Sequence, residues 1–327
     1  MMDAKAYNKR ALARFRDGDY KAALADWDSA LSLDPTYAKA YSNRGIARAA
    51  LGDLRAALHD HDEAVRLQPE NPDFYLNRAN AHEDNHDIEA AIADLDQALQ
   101  LQPDDAGVHY NRGRLHTGRA AVEAALYDFN EVLRLDSTFT PALIQRASLR
   151  YRLGDHTGAL QDMDQAIEQT PNNADYRKNR GMIQMMLGAL AAGVEDFNAA
   201  LRLRPADAEI LAMRGHALYR QGDYAAAVED FGEAVSLEPQ EGMHYLNRGI
   251  ACAAQGDYPL AIADFSEALR CDPALLQAYR DRAVARQQTG DMRGALEDWQ
   301  AYLRYGGDDV PYRDRAAQQI KILEAML

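Results

Sequence analysis

Apolar residues recur three and four positions apart along nearly the whole chain, the spacing of helices with one buried face. One such stretch runs from about Ala40 to Leu51 and a second from Leu54 to Leu67. Gly52-Asp53 separates them: glycine tolerates the left-handed conformation at a helix end, and the aspartate caps the next helix. Pro69 ends the second stretch, because proline lacks the N–H and clashes with the preceding turn. The pattern predicts two antiparallel helices joined by a tight turn. It returns every 34 residues: Gly18-Asp19, Gly52-Asp53, His86-Asp87, Ala120-Ala121, Gly154-Asp155, Gly188-Ala189, Gly222-Asp223, Gly256-Asp257 and Gly290-Asp291. Prolines 35, 69, 103, 171, 205, 239 and 273 keep the same step, with Ser137 and Gly307 in the two remaining places. A fixed period of this length is the mark of a repeat array.

Columns of equivalent positions say how the helices pack. One column is always small: Ala11, Gly45, Ala79, Gly113, Ala147, Gly181, Gly215, Gly249 and Ala283. A second runs Ala23, Ala57, Ala91, Ala125, Ala159, Gly193, Ala227, Ala261 and Ala295. A third is mostly aromatic: Trp27, His61, Leu95, Phe129, Met163, Phe197, Phe231, Phe265 and Trp299. Small residues let the two helices approach, and the large ones fill the next layer as core. The fourth repeat lacks both the Gly-Asp turn and its proline, with Pro141 two residues into the fifth, so a different bend is expected there.

Period, small columns, aromatic column and terminal proline together resemble the tetratricopeptide repeat (TPR) family, most fully in residues 38–71. The resemblance covers residues 4–309. It implies an all-α, right-handed α-solenoid of nine TPR helix pairs, beginning at residues 4, 38, 72, 106, 140, 174, 208, 242 and 276. Residues 310–327 are expected to form a C-terminal solvating helix, with Ile320, Ile322, Leu323 and Met326 toward the ninth repeat, because terminal repeats need a cap.

The chain's 327 residues carry 51 acidic and 36 basic side chains, a net charge of −15 that disfavours a general binder of nucleic-acid backbones. No apolar run reaches membrane-spanning length, and Met1 to Arg10 has no apolar stretch of signal-peptide length. The two cysteines, Cys252 and Cys271, fall in packing columns, which excludes a disulfide framework and fits a reducing, cytoplasmic setting.

Every repeat also carries an arginine (Arg10, Arg44, Arg78, Arg112, Arg146, Arg180, Arg214, Arg248, Arg282) and an aspartate (Asp26, Asp60, Asp94, Asp128, Asp162, Asp196, Asp230, Asp264, Asp298). Guanidinium and carboxylate can pair through two parallel hydrogen bonds. The expectation is a ladder of pairs fixing each repeat on the next, with Arg315 available to the last aspartate.

Little is left for catalysis. No phosphate-binding glycine loop, nucleophile elbow or cofactor motif occurs, so no catalytic residue, cofactor or metal is expected. His82-Glu83-Asp84-Asn85-His86 matches H-E-x-x-H, in which two histidines on one helix face hold zinc and the glutamate acts on its water. The repeat frame argues against it, because His86 stands in the turn-glycine position. A metal-dependent hydrolase using His82, Glu83 and His86 is therefore the least favoured function.

In TPR proteins the first helix of each repeat lines an inner groove, which here carries the columns of Lys5, Asn8, Lys9, Leu12, Phe15 and Arg16. The Lys9 column reads Lys9, Asn43, Asn77, Asn111, Gln145, Asn179, Met213, Asn247 and Asp281. An amide both donates and accepts, which suits a peptide backbone regardless of its side chains. Met182, Met185, Met186 and Met213, with Tyr151 and Tyr219 and rimmed by Arg152 and Arg220, make the middle of the groove apolar. The column of Met182 otherwise holds core-like residues, whereas the columns of Met185 and Met186 elsewhere hold Glu83, Asp84, Arg16 and Gln288. A two-carboxylate clamp for chaperone tails is not expected: its lysine column holds only Lys178, and the Lys9 column holds no arginine. The basic residues Lys5, Lys9, Arg16 and Lys39 read as a solvated patch.

These features point to a non-catalytic scaffold that binds a peptide or extended segment of another protein in its groove, without nucleic acid or membrane. A self-assembling structural protein is the alternative.

Overall fold

The computed structural model describes residues 2–306 and 310–327. Gly307 and the repeat boundary at Asp309 lie outside the described residues. Nineteen helices and no strand are present among the described residues. They form two compact bodies, Met1–Arg152 and Leu153–Leu327.

The first body contains α1 (Ala4–Arg16), α2 (Tyr20–Leu33), α3 (Ala38–Ala50), α4 (Leu54–Leu67), α5 (Pro72–Asp84), α6 (Ile88–Leu101), α7 (Ala106–Gly118), α8 (Val122–Leu135) and α9 (Thr140–Arg152). The second contains α10 (His156–Gln169), α11 (Ala174–Met186), α12 (Leu190–Leu203), α13 (Ala208–Gln221), α14 (Tyr224–Leu237), α15 (Gly242–Gln255), α16 (Tyr258–Cys271), α17 (Leu276–Thr289), α18 (Met292–Arg304) and α19 (Val310–Met326). The odd-numbered helices from α1 to α17 begin at a constant step of 34 residues. Helix α3 starts at Ala38, two residues before the apolar periodicity does, and both Ala38 and Ala40 are buried in its first turn.

In both bodies each helix packs on the next in the chain, and successive odd-numbered helices also touch, α1 with α3 and α3 with α5, α11 with α13 and α15 with α17. The odd-numbered helices therefore form the inner layer of each body. The turn chemistry follows the sequence closely. Gly18 has φ +80° and Asp19 accepts the Ala22 N–H at 3.1 Å, and the same glycine conformation recurs at Gly52, Gly154, Gly188, Gly222, Gly256 and Gly290. His86 (φ +60°) and Ala120 (φ +56°) adopt it without being glycine, at a cost of about 1–2 kcal/mol each. The fourth repeat builds the pair α7 and α8 through Ala120 without the Gly-Asp turn.

The small and aromatic columns meet face to face. A Cβ placed on Gly45, Gly113, Gly181, Gly215 or Gly249 would stand 2.7–3.0 Å from the ring of His61, Phe129, Phe197, Phe231 or Phe265. Where the opposite residue is Leu95 or Met163, the small position is alanine, Ala79 or Ala147. Glycine is thus used opposite the phenylalanines and His61, whereas Trp27 and Trp299 face Ala11 and Ala283. The four phenylalanine rings are among the largest fully buried side chains, each contributing about 1.5–3 kcal/mol of burial.

The arginine ladder differs from the sequence expectation in its direction. Eight arginines grip the aspartate sixteen residues later, inside the same repeat, through Nε and Nη2: Arg44 to Asp60 at 2.9 and 2.7 Å is typical. The remaining Nη1 reaches back to the second helix of the preceding repeat, to Asp28 from Arg44, Asp62 from Arg78, Asp96 from Arg112, Asn130 from Arg146, Asp164 from Arg180, Asn198 from Arg214 and Ser266 from Arg282, at 2.6–3.0 Å. Each of these arginines thus contributes one bond between repeats, and its bidentate pair closes the repeat on itself. A tyrosine one turn earlier lies under several of these guanidinium groups, as Tyr41 does under Arg44 at 5.4 Å, a favourable cation–π arrangement. Asp298 is gripped by Arg282 and Arg286, while Arg315 is exposed; the final aspartate has no need of the capping helix. On α19, Ala316 and Leu323 are buried and Ile320 packs on them, whereas Ile322 and Met326 are exposed, contrary to their expected burial.

Two measurements test this packing. Asp60 is fully buried and holds both Arg44 and Arg48, so Asp60→Ala leaves two half-buried cations short of a partner and is expected to cost about 3–5 kcal/mol. Asp28→Ala, at an exposed end of the ladder, is expected to cost less than about 1 kcal/mol; equal losses in urea unfolding would refute the ranking. His61 is held neutral by burial, its pKa lowered from 6.5 to about 4. The unfolded chain takes up that proton below pH 6.5, so stability present above pH 6.5 is lost as the pH falls toward 4. His61→Phe, matching the other rings of its column, is expected to match the wild type at pH 7. At pH 4.5 it should exceed the wild type by about 2–3 kcal/mol, and parallel melting curves at both pH values would contradict this.

Candidate functional site

The inner face of the odd-numbered helices carries the asparagine column, and the structure divides it. Asn43 donates from Nδ2 to Asn8 Oδ1 at 3.0 Å, joining α3 to α1, and Asn77 donates to Ser42 Oγ at 3.0 Å, joining α5 to α3. Asn8 also accepts from the Trp27 indole at 2.8 Å. These two amides are therefore partly spent inside the fold. Asn111, Asn179 and Asn247 are half-buried and have no side-chain hydrogen bond among the described residues. The cause is one position away: the residue that would accept is Asn8 or Ser42 early in the chain, but Leu76 before Asn111 and Ala212 before Asn247. A half-buried amide with unmet hydrogen bonds gains from a ligand backbone that supplies them.

The apolar residues divide in the same way. Met182, Met185 and Met213 pack against the buried cluster of Phe197, Ile210, Leu211 and Ala217, so they are chiefly the outer layer of the core. Met185 lies over Gly193, where an added Cβ would stand 3.4 Å from its side chain. Met186 is 53% exposed. Arg220 donates from Nη1 to the Met185 carbonyl at 3.1 Å, tying α13 to α11, and the Tyr219 ring lies 5.2 Å from that of Tyr224. Nearby, burial lowers the pKa of His216, whose ring stands edge-on to Phe231 at 5.1 Å. Tyr151 and Arg152 are the last residues of α9 and belong to the first body, whereas the methionines, Tyr219 and Arg220 belong to the second.

The H-E-x-x-H segment is not arranged as its pattern implies. Helix α5 ends at Asp84, and His86 lies beyond it with φ +60°, so the two histidines do not share a helix face. Glu83 is paired with Arg114 at 2.6 Å, and His82 Nε2 lies 3.9 Å from Asp94, which Arg78 already holds. No group of three potential metal ligands occurs among the described residues, and none of their helices is long and apolar enough to cross a membrane.

Comparison with known proteins accounts for this architecture. A family model described as tetratricopeptide repeat matches residues 42–106, 76–138, 144–208 and 212–275, and one described as TPR repeat matches 11–52. The chain belongs to the tetratricopeptide repeat family. No curated protein matches it. The C-terminal part of a TPR repeat-containing protein from Cytophaga hutchinsonii is similar in structure, with a TM-score of 0.64 and 18% identity over 75% of this chain and 99% of that one. A TPR protein from Parabacteroides merdae has a TM-score of 0.53 at 21% identity, over 76% of this chain and 98% of that one. YrrB, a TPR protein with an unusual peptide-binding site, has a TM-score of 0.51 at 19% identity, over 57% and 96%. The TPR fold of this chain is one typical of protein–protein interaction scaffolds.

The cysteines test the packing beside the inner face. Cys252 is buried, which pushes its thiol up to about 11, whereas Cys271 is half-exposed. A thiol reagent at pH 8 is expected to modify Cys271 within minutes and Cys252 only on unfolding, because the thiolate is the reacting species. Prompt modification of both, counted by mass spectrometry, would contradict this.

Proposed function

We propose that this TPR protein is a non-catalytic scaffold that binds a peptide or extended segment of another protein along the inner face of its odd-numbered helices. The observation that carries this reading is the set of Asn111, Asn179 and Asn247, amides on that face with no hydrogen bond inside the fold. A bound backbone satisfies such amides whatever its side chains, and in the second body the exposed Met186 offers an adaptable apolar contact on the helix that carries Asn179. Asn43 and Asn77 keep one amide hydrogen and a carbonyl for the same purpose, and Tyr151, Arg152, Tyr219 and Arg220 extend the proposed surface within their own bodies. YrrB, similar in fold, is described as having a peptide-binding site, which supports the class of function and not the position of the site. A nucleic-acid-free role fits the charge of −15, and a cytoplasmic setting fits two cysteines without a disulfide framework.

A displayed-peptide selection on the intact protein tests the proposal. Enriched peptides are expected to bind at micromolar strength, about −8 kcal/mol. Met186→Asp combined with Asn247→Ala is expected to weaken them at least about tenfold, or 1.4 kcal/mol. Failure to enrich any peptide, or binding untouched by the variant, would remove this reading of the face. The alternative of self-assembly draws on α19, where Ile322, Met326 and Leu327 are 44%, 61% and 63% exposed. A mass by light scattering that rises with concentration, and stops rising in Ile322→Glu, would favour it.

A further inference from the structure

The cations on the inner face of α1 and α3 are left without acids. Lys5, Lys9 and Arg16 stand at helical spacings on one face of α1, and Lys39 takes on α3 the place that Lys5 takes on α1. The Asn43–Asn8 hydrogen bond holds the same faces of the two helices side by side. All four cations are exposed, and none forms an ion pair or hydrogen bond among the described residues. Asp34 is the acid that feels Lys5; its carboxyl is held low chiefly by hydrogen bonds from Thr36, with Lys5 a minor influence. On other inner-face columns Arg114 is neutralised by Glu83 at 2.6 Å, Lys178 by Glu209 at 2.6 Å and Arg280 by Asp281 at 2.8 Å, whereas Arg152 and Arg220 stand singly, Arg220 on the Met185 carbonyl; only α1 and α3 bring four such cations together.

The chain's lysines are concentrated here too. Four of its six, Lys5, Lys9, Lys21 and Lys39, fall in the first 39 residues, and residues 1–50 hold nine Lys and Arg against six Asp in a protein of net charge −15. Between the cations lie Leu12, half-buried, and Ile46, 37% exposed, on the same helix faces. The face is therefore cationic at its ends and apolar within.

We propose that the inner face of α1 and α3 binds an acidic extended segment of another protein. The carboxylates of the segment sit on Lys5, Lys9, Lys39 and Arg16, and an apolar side chain sits against Leu12 and Ile46. This rests on the scaffold reading above and names the chemistry of its partner. From Lys5 to Arg16 the helix rises about 16 Å, the length of about five extended residues. Unpaired exposed cations attract such a segment at long range and lose that attraction with salt. A nucleic acid fits less well: Phe15, the aromatic residue on this part of α1, is already packed at 5.2 Å on Tyr20 and 6.1 Å on Trp27, so it offers no platform for bases.

The test is fluorescence anisotropy with two labelled octapeptides, alternating Glu-Leu and alternating Gln-Leu, added to the full chain. The acidic peptide is expected to bind at least tenfold tighter than the neutral one and to weaken at least tenfold between 50 and 300 mM salt. The triple variant K5E/K9E/K39E is expected to lose it with an unchanged melting curve, and K5Q/K9Q/K39Q to weaken it partly. Equal binding of both peptides would overturn the charge assignment and leave the scaffold reading standing. Binding of neither would overturn the assignment, the displayed-peptide selection then deciding the scaffold reading separately. A uridine oligonucleotide that displaces the peptide and binds more tightly would overturn the choice of a protein partner.

Discussion

A buried carboxylate in each repeat sets the terms for the rest of the structure. Asp26, Asp60, Asp94, Asp128, Asp196, Asp230, Asp264 and Asp298 are all nearly inaccessible to water, and an unpaired charge in that position would cost several kcal/mol. Each is met by an arginine sixteen residues earlier, whose planar group matches both carboxylate oxygens. The pair forms equally across the turns His86-Asp87, Ala120-Ala121 and Gly188-Ala189, which lack the Gly-Asp sequence. The third guanidinium bond reaches the preceding repeat, so closure within a repeat and register between repeats are linked through a single side chain. At Arg248 the position that would accept this bond is Gly232, and Arg248 keeps its bidentate pair with Asp264.

The apolar packing works under the same restriction. Helices held at a distance set by Arg–Asp pairs leave little space between their backbones, and the flat rings of Phe129, Phe197, Phe231 and Phe265 fill it only because Gly113, Gly181, Gly215 and Gly249 carry no side chain. His61 occupies this slot opposite Gly45 with Nδ1 unmatched. Burial without a partner for that nitrogen is why it stays neutral well below the usual histidine range.

Much of the functional face was legible once the period was known. The asparagine column, the exposed Met186 and the basic first helix all stand out when the repeats are aligned. The division of the asparagines into bonded and open was also written in the sequence, in the alternation of Asn8 and Ser42 with Leu76 and Ala212, but that column was not the one that drew attention. Which methionines are surface was not legible, because Met182, Met185 and Met186 share spacing and chemistry, and only contact with Phe197 and Leu211 separates them. The H-E-x-x-H pattern was misleading for a related reason: local spacing assumes a helix that the turn at His86 has already ended.

By itself, the sequence determined the repeat length, the helix pairs, their caps and the pairing of every small position with a large one. These depend on backbone propensities and volumes that act over one or two turns, and a strict 34-residue period repeats them until they cannot be mistaken. The tertiary structure decided which groups are satisfied inside the fold. Whether Arg44 reaches Asp60 or a neighbouring repeat, whether Asn43 is spent on Asn8, and whether Lys9 is left without an acid are questions of where side chains from different helices end. Hydrogen bonds and ion pairs act over about 3 Å, a distance that sequence spacing does not resolve between helices.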